Sequence, residues 1–432
     1  MQNDPAPSGN LTPRLGNARW IALGGLWLVY AAFGAMVASI APLLPEIRTE
    51  LQTDNTTLGA IMGAWPLVYI AAAIPAGILL DAIGTRTGLF LATLIIALSG
   101  LLRACADTPG AMLLAVAVFG IGGPLISTGA PKLIAALFSG PNRGTAMGIY
   151  VTGPAMGSIL TLSTTNAYLL PLAGTWRGVM LIHSGMALLS GLLWLACAGP
   201  VVSGPIATVA QRFDRRAVGL ILLNPQVVAV LTMAVGIFYI NHGLANWLPS
   251  ILRAKGMAAA EAGAWASIPT LFGLAAALIV PRFAGPSSRL PLLAVLFSMA
   301  GVAGMAIAFG SGFSLAAGLA LQGIARGTMM TIAILVLVEL PAIPENRIGL
   351  ASGIFFSAAE IGGVLGPISF GALRDATGAF LMPALSDNNC RRIAALAGRQ
   401  VDATQSPNSR SRNKKMARLR NRAKKLQYLS VQ

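Results

Sequence analysis

Charge is what this sequence has least of. Only 10% of its 432 residues are Asp, Glu, Lys or Arg, 55% are hydrophobic, and the mean hydropathy is +0.73. A soluble domain carries roughly 25% charged residues to cover its surface, so the composition excludes a water-soluble globular protein and leaves lipid as the solvent. Cysteine is nearly as scarce. Cys105, Cys197 and Cys390 are odd in number, far apart and without metal-ligand spacing, which argues against any special role for them. No glycine-rich nucleotide-binding loop, nucleophile–base constellation or metal cluster stands out, so nothing points to an enzyme, a cofactor or a metal. A cleaved leader is not expected either. The residues before Trp20 are polar with only Arg14 and Arg19, and the apolar run that follows is too long, which predicts a retained first helix.

What is present is a series of continuous apolar runs. A helix needs about 20 residues to cross a hydrocarbon core of about 30 Å. Runs of that length lie near 20–44, 58–80, 88–106, 111–138, 144–170, 178–199, 226–249, 261–281, 288–309, 313–340 and 348–373. They are continuous rather than alternating, so they read as helices and not barrel strands. A twelfth begins at Gly378-Ala379-Phe380-Leu381-Met382-Pro383-Ala384-Leu385 and breaks off. With the N-terminus inside, the inner loops hold ten Arg and the outer loops Arg48, Arg103, Arg177, Arg253, Lys255 and Arg374. The charge rule therefore predicts a cytoplasmic N-terminus in the inner membrane.

The chain echoes itself at an offset of about 204 residues. Pro42–Ile47 matches Trp247–Leu252, and Gly59 matches Gly263, with Pro66 and Pro269 following them at nearly the same distance. Asn142–Ile149 matches Asn346–Ile354 with one insertion. Six spans are an even number, so the halves run parallel, an arrangement that usually holds a substrate site between bundles near the midplane. The expected division is a cytoplasmic segment 1–19, a first bundle 20–200, a linker 201–225, an incomplete second bundle 226–385 and a polar tail 386–432, expected to be disordered.

Gly77-Ile78-Leu79-Leu80-Asp81-Ala82-Ile83-Gly84-Thr85-Arg86 follows the second run. This loop resembles that of the major facilitator superfamily, which implies two six-helix bundles, here with the twelfth helix truncated. Gly77 is expected to let helices approach, Asp81 to offer charge to a neighbouring helix end, Gly84 to support the turn. The resemblance implies that Gly77, Asp81, Gly84 and Arg86 form a cytoplasmic gate. The flanking basic positions of the family loop are Ala82 and Thr85 here, and the second-half counterpart, Val280–Gly285, has no acid. Gly153, Pro154 and Gly157 in the fifth span are similar to a helix-packing motif of proton-coupled exporters, echoed by Gly362–Pro367. The fourth span has no Arg before Gly120, against that analogy. The chain is most similar to the cyanate and nitroimidazole permease branch, on Ala130-Pro131-Lys132-Leu133, Thr165-Asn166, Thr175-Trp176-Arg177 and Trp247–Leu252. The cations of the nitrate porters' second and eighth spans are missing, which disfavours nitrate.

A charge within hydrocarbon costs a few kcal/mol, so it must face a cavity or a partner. Arg326 lies mid-span, four residues from Gln322 and on the same face. It is the first candidate to grip an anionic or dipolar substrate, the alternative being a structural ion pair with Glu360. Glu360, mid-span in the eleventh helix, is the candidate for proton coupling. Tyr239, His242 and Asn246 share a face of the seventh span by their spacing of three and four and are candidate substrate contacts. Trp247 reads as part of an interfacial aromatic belt. Tyr30 and Tyr69 are further cavity candidates, Lys132 is placed to snorkel to water, and His183 reads as a packed core histidine.

The tail from Ser386 holds twelve Lys and Arg against Asp387 and Asp402, and so contributes +10 of the formal +16. Three readings are open: an arm for anionic lipid, a nucleic-acid segment, which lacks interleaved aromatics, or a replacement of a lost twelfth helix. The charge rule favours the third, because eleven spans would put this tail outside, and no nucleic-acid partner is expected. The expected function is a monomeric secondary carrier of a small anion or polar neutral compound, working in the bilayer by alternating access and driven by a proton gradient. An exporter of drugs or metabolites and a solute sensor without flux are the alternatives.

Overall fold

The computed structural model describes residues 17–199, 215–285, 288–344 and 347–380. The expected segment 1–16, residues 201–214 of the linker, the break in the twelfth run and the tail 386–432 lie outside the described residues.

Every described element is helical. α1 spans Ala18–Ala38 and passes through a short 3-10 turn into α2, Leu44–Glu50. α3 runs Asn55–Ala104, α4 Pro109–Leu137 and α5 Gly140–Thr164. A π-turn leads to α6, Leu170–Ala173, and then α7, Trp176–Ala198. The second half holds α8, Arg215–Leu222, α9, Pro225–Ala254, and α10, Ala259–Ile279. It ends with α11, Arg289–Phe309, α12, Gly312–Val338, and α13, Ile348–Thr377. The connection expected at 201–225 thus contains one further short helix.

Local sequence sets these boundaries. Thr108 accepts from Ala111 N at 3.1 Å and Asn224 from Gln226 N at 2.9 Å, each just before a proline at the first helical position. The side chain meets an orphan donor, and the proline has no N–H to leave unmet. At about 1.5 Å per residue α3 would be about 75 Å long, far beyond one crossing. Gly84 breaks it in two at φ 78°, a conformation that glycine adopts without a Cβ penalty.

Nine helices among the described residues are long and apolar enough to cross a membrane. Counting both parts of α3, and adding α5, which is too polar for that measure, gives the eleven crossings expected from the sequence.

Three apolar cores hold the bundle. One combines Ile40, Leu43, Leu58, Ile61 and Leu162 of the first half with Leu244, Trp247, Leu248, Ala262 and Phe370 of the second. The others belong to one half each: Leu26, Leu80, Leu89, Ile126 and Trp194 in the first, Val230, Ile237, Phe297, Met329 and Phe355 in the second. The halves therefore share a core at the end where α1 finishes and α3 begins, and keep separate cores at the other end.

Glycine crossings set the spacing. A methyl on Gly157 would stand 1.9 Å from Ala31 O, and one on Gly362 would stand 1.9 Å from Val235 O. These contacts pack α5 on α1 and α13 on α9. Between the halves, a methyl on Gly59 would lie 2.4 Å from Pro367 O and one on Gly263 2.2 Å from Leu162 O. Both pairs of contacts repeat at the 204–205 offset.

Because these neighbours are backbone atoms that cannot yield, Gly362→Val should lower the apparent melting temperature of detergent-purified protein. A cost of about 1–3 kcal/mol or more is expected. Gly304→Val, where a Cβ meets nothing within 4 Å, should leave it unchanged. Thermal unfolding followed by size-exclusion chromatography checks the contrast.

Candidate functional site

The polar centre of the bundle is built by α9, α12 and α13. His242, half-buried on α9, is stacked between two rings: Phe238 of its own helix at 5.0 Å and 24°, and Trp65 of α3 at 5.5 Å and 27°. One of its faces is therefore supplied by the opposite half. Glu360 of α13 is buried, and its Oε2 has no hydrogen-bond partner. The position of an ideal Cβ on Gly363 is 2.7 Å from that oxygen and 3.0 Å from His242 Nδ1, so the missing side chain lets the two groups approach. Arg326 of α12 is half-buried and within electrostatic reach of His242. Arg326 and Glu360 do not form an ion pair. Ion pairs form instead between Lys132 and Asp81, Arg177 and both Glu50 and Asp107, Arg253 and Glu46, and Arg289 and Glu339.

The remaining candidates make contacts of their own. Gln322 is buried with neither amide atom partnered. Tyr239 packs edge-on against Phe370 at 6.2 Å. Asn246 Nδ2 donates to His242 O at 2.8 Å, within its own helix. Trp247 corrects an expectation: it is fully buried rather than in an interfacial belt, and its Nε1 donates to Pro367 O at 2.9 Å, tying α9 to α13.

The first half contributes rings in place of charges. Tyr30 stacks on Phe33 at 5.8 Å and meets Tyr150 at 5.2 Å. Phe33 continues to Phe119 at 5.1 Å, Phe119 to Trp65 at 5.6 Å, and Tyr69 Oη and Ser127 Oγ share a 2.6 Å hydrogen bond. Sequence reading found Tyr30 and Tyr69 but missed Trp65, Phe33, Phe119 and Tyr150. Their signal was helical spacing, Tyr30 with Phe33 and Trp65 with Tyr69.

At the end with separate cores, Asp81 pairs with Lys132 of α4, so the lysine expected to snorkel has an acid partner. Arg86 donates from Nη2 to Leu195 O at 3.2 Å, while Trp194 Nε1 donates to Arg86 O at 2.9 Å. Gly77 does not make the close helix approach expected of it: a Cβ there meets nothing within 4 Å. His183 is buried as expected, between Val179 O at 2.9 Å and Thr161 Oγ1 at 3.2 Å.

At the joined end, Asp375 of α13 accepts from Asn55 N, Asn55 Nδ2, Thr56 N and Thr56 Oγ1 at 2.6–3.2 Å, capping the N-terminus of α3 from the other half. Arg253 reaches Glu46 at 2.9 Å, and Asn166 donates to Ala259 O at 3.4 Å. Arg103, assigned to an outer loop from the sequence, is instead 1% exposed. It donates to Met36 O at 3.2 Å and Ser39 Oγ at 3.1 Å, beneath the Phe119 ring. A cation at the end of α1 is favoured by the helix dipole.

If the Asp81–Lys132 pair stabilises the end of α4, Asp81→Asn should lower thermal stability more in the wild-type background than in Lys132→Gln. A double-mutant cycle reads that difference directly.

A bundle of membrane-crossing helices in two halves, with Arg326, His242 and Glu360 within it, has the build of a multi-pass carrier. A family model described as Major Facilitator Superfamily matches residues 26–367, and the chain belongs to that superfamily. An uncharacterized transporter of Bacillus subtilis is 25% identical over 84% of this chain and 89% of its own length. A probable galactarate/D-glucarate transporter of Bacillus subtilis is 23% identical over 87% and 89%. The 2-nitroimidazole transporter of Escherichia coli is 25% identical over 85% and 92%. Among solved structures, a nucleoside transporter superposes with TM-score 0.72 at 14% identity, covering 88% of this chain and 98% of that one. An inward-facing, occupied bacterial homolog of the human lysosomal transporter Spinster gives 0.68 at 15%, covering 89% and 97%.

Proposed function

We propose that this protein is a proton-driven carrier of a small anionic or polar solute, working by alternating access between its halves. The observation that carries the reading is the grouping of Arg326, His242 and Glu360 from three helices, with neither Arg326 nor Glu360 in an ion pair among the described residues. Charges are costly at that depth, so groups left unpaired there are kept for a ligand or a proton. Arg326 supplies a planar fork of donors suited to a carboxylate, and Glu360 carries the proton. The galactarate/D-glucarate relative is named for dicarboxylates, in keeping with a cationic grip. Gln322, Tyr239, Asn246 and Tyr30 complete the proposed surroundings of the solute.

The cytoplasmic orientation of the N-terminus, carried by the loop arginines, places the separate cores inside. On that reading this conformer opens inward, its outer side closed by Asp375, by Arg253–Glu46 and by the crossings at Gly59 and Gly263. Asp81, Gly84 and Arg86, with Gly77 now in open space, form the gate that closes inside in the opposite state. The protein acts as a monomer within the two-bundle division 20–200 and 226–385. Export is the second reading, suggested by the motif of Gly153, Pro154 and Gly157, which packs closely on α1.

Uptake into proteoliposomes of a panel of sugar acids, small carboxylates and polar neutral compounds tests the proposal. Saturable uptake should rise with an inward proton gradient, and Arg326→Ala should lower it by at least about tenfold, the loss of one charged contact. Glu360→Gln should retain solute exchange across the membrane while losing the response to the gradient. Gradient-driven uptake that survives in Glu360→Gln would exclude the carboxyl from coupling.

A further inference from the structure

We infer that His242 is a positioning residue for the coupling proton, linking the charge state of Glu360 to the contact between the two halves, and that Gly363 is glycine to keep the two groups in reach. The inference rests on the proton role proposed for Glu360 and adds the route by which that proton is felt by the fold.

Three observations meet at one imidazole. Nδ1 of His242 and Oε2 of Glu360 both border the space that a Cβ on Gly363 would fill, at 3.0 and 2.7 Å from its position. Oε2 makes no hydrogen bond within the described residues. The flat face of the same ring lies on Trp65, which belongs to the opposite half, while Phe238 covers the other face. A ring that borders the same small space as a carboxyl and lays one face on the opposing bundle is placed to pass a change at either place to the other.

The groups that face this pair are few. Tyr69 is on α3, within electrostatic reach of Glu360, and Arg326 is on α12, within reach of His242. Glu261, the acid of α10, is exposed at the outer start of its helix. The proton arrives from bulk water, is held by Oε2 or Nδ1, and leaves to bulk water on the other side. While it rests on Nδ1 the ring is a cation, which strengthens its attraction to the Trp65 face and opposes the Arg326 charge. An anion bound at Arg326 cancels that opposition, so solute and proton favour each other's binding, as linkage requires for co-transport.

The test needs no solute. Cysteines at Gly148 and Gly353, where a Cβ meets nothing within 4 Å, would carry spin labels on the separated ends of α5 and α13, with the native cysteines changed to serine. Pulsed electron resonance then reads the distance between the halves in lipid nanodiscs from about pH 5 to about pH 9. The distance distribution should shift with pH in the wild type, and the shift should be lost in Glu360→Gln, His242→Gln and Gly363→Ala. The nearest atoms to a Cβ at 363 are side-chain atoms of Glu360 and His242, so Gly363→Ala presses on those two groups first and decides the matter should His242→Gln not fold. A shift lost in Glu360→Gln but kept in His242→Gln or Gly363→Ala would overturn the inference while leaving the carboxyl's role standing. A wild type with no pH response would overturn both.

Discussion

Close approach of bare backbone is the constraint on which the rest of this structure depends. Lipid tails are as apolar as leucine, so helices in a bilayer gain little from hiding apolar side chains from one another and associate through packing at small residues. Here that packing is concentrated at a few glycines. Gly157 on Ala31 and Gly362 on Val235 make each half a unit, while Gly59 on Pro367 and Gly263 on Leu162 hold the halves together at one end. The joining contacts cluster near one end of the helices and the separate cores lie at the other, so relative motion of the halves has a natural fulcrum. The proposed alternation needs these crossings to slide or part, and all four are backbone surfaces with no side chain to interlock.

Electrostatics follows from this packing. Away from the centre the charges have local answers: Lys132 with Asp81, Arg289 with Glu339, Arg177 with Glu50 and Asp107. Arg103 is answered by carbonyl, hydroxyl and ring rather than by an acid. Arg326 and Glu360 alone among the proposed site's charges lack such an answer, even though they sit where an unanswered charge costs most. Their isolation is therefore better explained by function than by stability, since an ion pair between them would have served stability at lower cost.

The fold was legible because it is written in patterns that repeat: eleven apolar runs, a 204-residue echo, and a glycine loop after the second run. The candidate site was legible in part. Arg326 and Glu360 stand out because a charge inside an apolar run is conspicuous, and His242 because its face is polar. The aromatic wall of Phe33, Trp65, Phe119 and Tyr150 was not seen, since rings in an apolar span look like any other lipid-facing or core residue. Trp247 was misplaced for the same reason. Distance from the helix end suggests an interface, and only the neighbouring α13 reveals that Pro367 offers its carbonyl to the indole. Arg103 was assigned to a loop because its position near the end of a run is compatible with water, until α1 closes over it.

The repeat also explains why chemistry and scaffold had to be read in different ways. Moving the scaffold residues by the offset lands on equivalents: Gly59 on Gly263, Ala31 on Val235, Gly157 on Gly362, Leu162 on Pro367. Moving the polar group back gives none, since Arg326 falls on Gly122, Glu360 on Ala155 and His242 on Ala38. Both halves thus carry the same mechanical parts, whereas the charges belong to the second and most of the rings to the first. A solute between them would meet a charged wall on one side and an aromatic wall on the other. His242, stacked on Trp65, is the point at which the two walls touch, so a change in one wall's charge acts first on the contact that joins it to the other.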